Sequence, residues 1–173
     1  MKKCSKLLVL LMVIIFAFGN VYAQDENVGC EGLKDLIGEW ISDPYEMGGI
    51  SYIDEVKCYM VHNDQYMVYD ITVREDKGKA YTGTAYFSFD SDGNIQGWIF
   101  DVRGANRMTT YTGKCKADKI LINSKNTQST AEGEIRIEGD VIYEKWNIDV
   151  KAKRTGDNVS LTMEKVYRRK STD

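Results

Sequence analysis

The chain has 173 residues, of which 23 are basic and 26 are acidic, and its formal net charge is −3. This length supports one domain with its own core and is short for two, and a hydrophobic content of 43% excludes a disordered chain. The single proline excludes a proline-rich linker, and the single histidine excludes both a histidine-rich zinc site and a two-histidine catalytic pair.

The first 23 residues have the pattern of a secretory signal. Lys2, Lys3 and Lys6 form a basic start, residues 7–18 are an unbroken apolar run, and residues 21–23 (Val-Tyr-Ala) resemble a cleavage site. The apolar run is shorter than the roughly 20 residues of a membrane-spanning helix. We therefore expect residues 1–23 to be cleaved, no membrane span afterwards, and export to the bacterial periplasm or outside the cell. The alternative is an uncleaved N-terminal anchor.

The body of the chain is acidic. Removing residues 1–23 takes away three lysines and no acid, so 20 basic and 26 acidic residues remain. This excess argues against nucleic acid and anionic membranes as partners. Cys30, Cys58 and Cys115 also remain, and in an oxidising compartment they predict one disulfide and one free thiol, with three pairings open. Their spacing fits no zinc motif, and we predict neither a metal nor a cofactor.

The elements read in chain order as an arm followed by strands. Residues 24–36 form the arm, in which 28–36 can be a short helix that plugs the structure with Leu33, Leu36 and Ile37. Residues 37–170 form one domain of short β segments separated by turn signals. The ten predicted strands are 37–42, 50–62, 66–75, 80–89, 94–102, 108–116, 120–124, 134–138, 141–153 and 159–168, with a polar loop over 125–130.

Short connections between these strands predict antiparallel neighbours. A long meander of this kind closes best into a barrel, because closure removes both unpaired edges. We therefore predict an all-β, antiparallel up-and-down barrel of about 8–10 strands. The alternative is a two-sheet sandwich with a filled core.

A glycine and a tryptophan at the start of the first strand carry a family resemblance. Gly38-Glu39-Trp40 resembles the N-terminal signature of lipocalins and the wider calycin superfamily. Residues 36–40, 81–83, 89–90, 97–98 and 167–168 together are similar to a family of bacterial calycin-like domains of unknown function. The resemblance implies a barrel whose Trp40 lies near the closed end. It also implies that an arginine of the last strand, Arg168 or Arg169, covers that ring in a cation–π contact.

Strand direction places the cysteines at one end of this barrel. If the strands alternate up and down, Cys58 and Cys115 both fall late in strands that finish at the closed end, and Cys30 precedes the first strand. A disulfide from Cys30 to Cys58 or to Cys115 therefore fits better than one between Cys58 and Cys115.

We expect the interior to bind a small molecule through aromatic side chains and one carboxylate. On the strand holding Trp98 and Phe100, either these rings or Asp101 and Arg103 must face inward, and we favour the rings. Glu144 shares a face with Trp146, and an inward carboxylate there would have a raised pKa. The predicted lining residues are Tyr69, Tyr81, Phe87, Trp98, Phe100, Glu144 and Trp146.

Two other motifs have simpler explanations. His62 closes the second predicted strand beside a turn and is read as a surface residue. Asp90-Ser91-Asp92-Gly93-Asn94 begins like a calcium loop, but Asp-Gly is a strong hairpin signal and the flanking helices of an EF-hand are missing.

Three functions remain open at this point. The first is an exported, non-catalytic barrel that binds a small hydrophobic or amphipathic ligand. The second is an enzyme of the same fold that uses a carboxylate such as Glu144 or Asp70. The third is an envelope interaction or inhibitor module with a filled barrel. The presence or absence of an interior cavity distinguishes the third from the others.

Overall fold

The computed structural model describes residues 31–76, 78, 80–102, 104, 108–116, 119–151 and 157–171. The predicted signal segment and Cys30 lie outside these residues. Within them the chain forms one short helix and eleven strands, which are α1 (Glu31–Lys34), β1 (Gly38–Ser42), β2 (Tyr45–Met47), β3 (Ile50–Val61), β4 (Tyr66–Glu75), β5 (Ala80–Phe89), β6 (Asn94–Asp101), β7 (Thr109–Lys116), β8 (Lys119–Lys125), β9 (Ser129–Glu138), β10 (Val141–Lys151) and β11 (Asn158–Arg169).

Ten of the strands close into an antiparallel barrel. From β3 to β11 each strand pairs with the next, and β1 joins the two ends of the sheet by pairing with both β11 and β3. Trp40 thus lies between Arg169 on one side and Val56 on the other. The short strand β2 adds to β3 beyond the stretch that β1 covers. The predicted all-β antiparallel barrel is confirmed.

Two features of the strand pattern differ most from the sequence prediction. The segment β2 was predicted as part of a connection, because three residues are too few to show an alternating pattern. Strand β9 begins at Ser129, five residues earlier than predicted, so the predicted loop over 125–130 shrinks to a tight turn. In this turn Asn126 Oδ1 accepts hydrogen bonds from the backbone N–H groups of Gln128 and Ser129, at 2.8 Å each.

The N-terminal segment closes one end of the barrel. Leu33 and Leu36 are buried in the same core cluster as Trp40, Cys58 and Cys115, which confirms the predicted plug and places both cysteines at that end. Ile37 was also predicted to belong to the plug, but it follows the turn after α1 and its side chain is exposed. Cys58 is a free, buried thiol, and Cys115 is not free.

The opposite end of the barrel is called the mouth here. Strands β4, β6, β8 and β10 finish at the mouth, since the strands alternate in direction. Strands β3, β5, β7 and β9 finish at the closed end with α1. The barrel therefore has a base plugged by the N-terminal segment and a mouth at the other end.

Candidate functional site: the barrel interior

A cavity occupies the middle of the barrel above the plug. Its volume is about 290 Å³, and every strand from β3 to β11, together with Trp40 of β1, contributes to its wall. The wall is mostly aliphatic and aromatic, and includes Leu36, Val56, Met67, Ile71, Ala85, Phe87, Ile95, Tyr111, Ile122, Ala131, Ile135, Ile142, Trp146 and Met163. Such a lining suits an apolar ligand body.

The cavity continues into a wider space at the mouth. This outer space has a volume of about 680 Å³ and shares Ile71, Ile99, Ile148, Met163 and Lys165 with the inner cavity. Its own rim adds the residues Tyr45, Met47, Tyr52, Val73, Tyr81, Asp101, Gln128 and Val150. The inner cavity and the outer space therefore adjoin one another within the described part of the barrel.

Two inward glycines make room for aromatic rings in the wall. Gly133 of β9 is paired with Trp146 of β10, and a Cβ at Gly133 would lie 2.6 Å from two atoms of the Trp146 ring. Gly97 of β6 is paired with Phe87 of β5, and a Cβ there would clash with the Phe87 ring. The rings therefore lie against bare backbone and leave the centre of the barrel open.

A buried polar cluster stands on one side of the interior, with Asp54 of β3 at its centre. Asp54 is fully buried. Its carboxylate accepts hydrogen bonds from the Tyr45 hydroxyl at 2.9 Å, the Tyr167 hydroxyl at 2.9 Å and Lys165 Nζ at 2.6 Å. The ammonium of Lys165 also lies 4.4 Å from the centroid of the Tyr45 ring. Both charges of this pair are thus compensated inside the protein.

Glu144 of β10 is the second carboxylate of the interior. Its Oε2 accepts a hydrogen bond from Trp146 Nε1 at 3.0 Å. Burial raises the pKa of Glu144, against the opposing effects of Lys165 and of the Trp146 hydrogen bond. Glu144 therefore has a greater share of the neutral form than an exposed glutamate at the same pH.

The buried tyrosines and the buried cysteine near Glu144 are neutral at pH 7. Burial raises the pKa of both Tyr69 and Tyr167 well above the usual tyrosine value, and the nearby Glu144 adds to the effect. Burial also raises the pKa of the Cys58 thiol to about 12. A thiol with this pKa carries almost no thiolate at neutral pH, so Cys58 is not a nucleophile there.

Four of the seven predicted lining residues border the inner cavity: Tyr69, Phe87, Glu144 and Trp146. Tyr81 lies at the mouth, where its hydroxyl donates to Glu75 Oε1 at 2.7 Å. Their binding of a ligand stays a prediction.

The prediction for Trp98 and Phe100 is wrong. Both side chains lie on the outer surface, with exposures of 37% and 52%, while Ile95, Ile99 and Asp101 of the same strand border the interior. The reason is steric, because Gly97 faces the inward rings of Phe87 and Tyr111, whose centroids are 5.4 Å apart. No bulky side chain fits beside those rings.

The structure also places Arg168 and Asp70 away from the sites considered for them. Of the two arginines predicted as candidates to cover Trp40, Arg168 points outward and pairs with Asp43 at 3.0 Å, and Arg169 makes the contact. Asp70, considered as an enzymatic carboxylate, bonds the outward hydroxyls of Tyr59 and Thr84. It therefore does not serve the interior.

Asp54, Lys165 and Tyr167 are site residues that the sequence analysis missed. The signal for the last two was the period of two on β11, which places Leu161 and Met163 on one face. Continuing that count places Lys165 and Tyr167 on the same face, although a lysine in a strand usually indicates solvent. Nothing in the local pattern around Asp54 marked it as buried.

The two motifs with simpler explanations behave as predicted. His62 is an exposed turn residue whose ring meets Tyr66 edge-on. The Asp90 carboxylate accepts hydrogen bonds from the backbone N–H groups of Asp92 and Asn94, as expected for a hairpin turn. Within the described ranges, no group of three or more His, Cys, Asp and Glu side chains could hold a metal ion.

Among the residues that the structure describes, no helix has the length and apolar character needed to cross a membrane.

Comparison with known proteins identifies the fold. No protein-family model matches the chain, and no curated protein sequence matches it. Among solved structures, the crystal structure of Rv2717c from M. tuberculosis is similar, with a TM-score of 0.61 over 81% of this chain and 96% of that chain. The two sequences are 16% identical, so the similarity shows a shared barrel and carries no assignment of ligand.

Proposed function

We propose that this is an exported, lipocalin-like barrel protein that binds a small hydrophobic or amphipathic molecule in its interior without catalysis. The observation that carries the proposal is the cavity of about 290 Å³, which is lined mostly by apolar side chains and adjoins the wider space at the mouth. Pockets for small ligands typically have volumes of about 300–1,000 Å³ and a few fixed polar groups in an apolar wall.

The cavity supports binding over the two alternatives. A filled barrel that serves only as an interaction module needs no interior space. An enzyme needs a catalytic group beside the substrate, and the lone histidine and Asp70 both lie on the outer surface. Among the described residues, Glu144 is the one carboxylate that faces the cavity with an altered pKa. Its single hydrogen bond from Trp146 suits a polar anchor.

Export rests on the N-terminal sequence. The basic start, the short apolar run and the Val-Tyr-Ala segment support cleavage after Ala23. Expression of the full chain in a bacterium, followed by fractionation and N-terminal sequencing, tests this part. A mature N-terminus at Gln24 in the periplasm or medium supports export, and an intact chain in the cytoplasm contradicts it.

Native mass spectrometry and titration with an apolar fluorescent dye test the binding itself. We expect either a co-purifying small molecule or saturable dye binding at one site. Ala131 borders the cavity, whereas the adjacent Thr130 is exposed on the outside of β9. Ala131→Phe should fill the cavity and lower dye affinity, and Thr130→Phe is the matched control. Dye binding that neither variant changes would place the site elsewhere and overturn the proposal.

A further inference from the structure

The carboxylate of Glu144 has one oxygen that no group of the described residues satisfies. Trp146 Nε1 bonds Oε2 at 3.0 Å, and within the described residues no donor contacts Oε1. The side chain borders the inner cavity, and none of its oxygens is both buried and without a partner. Oε1 is therefore an acceptor that the cavity itself exposes.

The cation closest to this carboxylate in the interior is already paired. Lys165 Nζ lies 2.6 Å from Asp54 Oδ2, and the side chains are only 10% and 0% exposed. Pulling Lys165 towards a ligand would leave Asp54 buried and uncompensated, which is strongly unfavourable. Lys165 is therefore not a ready partner for an anionic ligand.

The charge balance of the described interior is negative as a result. Asp54 and Lys165 cancel, and Glu144 remains. Among the described residues of the inner cavity, a ligand carboxylate would face Glu144 and meet no unpaired cation. An ammonium placed there would gain a charge-assisted hydrogen bond to Oε1.

We infer that the ligand of this cavity is an amphipathic amine, whose protonated nitrogen donates to Glu144 Oε1 while its apolar body lies along the wall. This inference rests on the proposed function, because it names the chemical class of the molecule that the cavity binds. The tail would lie against Met67, Phe87 and Ile122, and the head would lie beside Trp146.

The pH dependence of binding should follow the state of Glu144. The ionisable groups near Glu144 are Lys165 and Tyr167 of β11, Asp54 and Cys58 of β3, Tyr69 of β4 and Tyr45 of β2. Burial raises the pKa of Glu144, and a bound ammonium would lower it again. Amine binding should therefore weaken as the pH falls and Glu144 takes up a proton.

Isothermal titration calorimetry with decylamine, decanol and decanoate at pH 8 tests the inference. The three probes share one tail and differ in the charge of the head. We expect decylamine to bind at least about tenfold more tightly than decanol, as for a hydrogen bond to a charged group, and decanoate to bind more weakly than decanol. Glu144→Gln should remove the preference for decylamine over decanol.

Two further variants make the result specific. Glu164→Gln removes an exposed glutamate on the outside of β11, paired with Lys145, and should bind all three probes as the wild type does. Glu144→Asp keeps the charge and should retain part of the amine preference. This variant keeps the test open if the glutamine variant does not fold.

The possible outcomes separate the inference from the function beneath it. Tight binding of decanoate, or an amine preference that survives in Glu144→Gln, overturns the inference and leaves a ligand-binding barrel. Saturable binding of none of the three probes overturns the proposed function and the inference together. The expected order, with loss of the amine preference in Glu144→Gln alone, supports both.

Discussion

The guanidinium of Arg169 lies over the indole ring of Trp40, with its carbon 4.1 Å from the ring centroid. The same group donates to two backbone oxygens of the segment before β1, Ile37 O at 2.7 Å and Asp35 O at 3.0 Å. Trp40 Nε1 in turn donates to Leu36 O at 2.8 Å. The last strand therefore fastens the plug to the base of the barrel through one side chain.

Replacing Arg169 with alanine should loosen that base. The variant loses a cation–π contact and leaves two carbonyl oxygens without their donor, which together predict a loss of about 2 kcal/mol in the free energy of unfolding. Urea denaturation measures the loss. Arg168→Ala, which removes only an exposed pair with Asp43, should change the midpoint little, and equal effects of the two variants would contradict the assigned role.

The buried pair of Lys165 and Asp54 predicts a non-additive double mutant. Lys165→Met leaves Asp54 buried without its cation, and the expected cost is about 3–5 kcal/mol. Adding Asp54→Asn removes the uncompensated charge and should restore more than half of that loss. A urea-denaturation cycle of the wild type, both single variants and the double variant measures the coupling. Purely additive losses would show that the pair does not act as a unit.

Gly133→Ala should change both stability and ligand binding. The new Cβ would meet the Trp146 ring at 2.6 Å, so the ring must move towards the cavity, at a cost of about 1–3 kcal/mol for overpacking. We expect weaker dye binding and a shift in tryptophan fluorescence. Gly32→Ala is the matched control, since a Cβ there meets nothing within 4 Å.

Glu144 predicts a specific change of stability with pH. Its folded-state pKa is raised above the ordinary value of 4.5, so the folded protein holds the proton more tightly than the unfolded chain. This contribution to stability is fully present below pH 4.5 and is lost as the pH rises through the folded-state pKa. Unfolding of wild type and Glu144→Gln, compared from pH 4 to pH 8, measures it. Relative to the wild type, the Glu144→Gln variant should become more stable as the pH rises. A difference in the free energy of unfolding that stays constant with pH would contradict a raised pKa of Glu144.

We predict a disulfide between Cys30 and Cys115. Cys58 is free and Cys115 is not, which favours this pairing of the two that strand direction allowed. Peptide mapping by mass spectrometry should find the Cys30–Cys115 link, and Cys30→Ser should release one additional thiol. A disulfide of this kind typically contributes roughly 2–4 kcal/mol. A lower thiol count in Cys30→Ser than in the wild type, or a Cys30–Cys58 link in the peptide map, would refute the pairing.

The sequence was sufficient for the barrel because its strands alternate with a period of two and its turns are short. The inward face of β6 was harder to predict, because both faces carry apolar residues. The large aromatic side chains of Trp98 and Phe100 favoured their face as the inward one. What decides the matter is the opposing strand, where Phe87 already fills the space in front of Gly97. Such a constraint depends on register, which a single strand does not reveal.

The buried polar cluster around Asp54 could not be predicted from the sequence around each of its residues. Lys165 and Asp54 are 111 residues apart in the chain, and each reads alone as a surface charge. Their burial depends on each other, because neither charge is tolerated inside without its partner. Glu144 was predictable since it sits between two apolar residues of the same face, Ile142 and Trp146.

Because β1 pairs with both β11 and β3, the barrel is a closed sheet in which no strand has to come first in the chain. The start of β1 and the end of β11 are hydrogen-bonded neighbours, as in the Trp40–Arg169 pair, and a short linker could join them. The exposed turn at His62, Asn63 and Asp64, where all three residues have positive φ angles, offers a place to cut. A circular permutant with its new termini there could keep every strand pairing of the barrel and carry both chain ends at the base, away from the mouth.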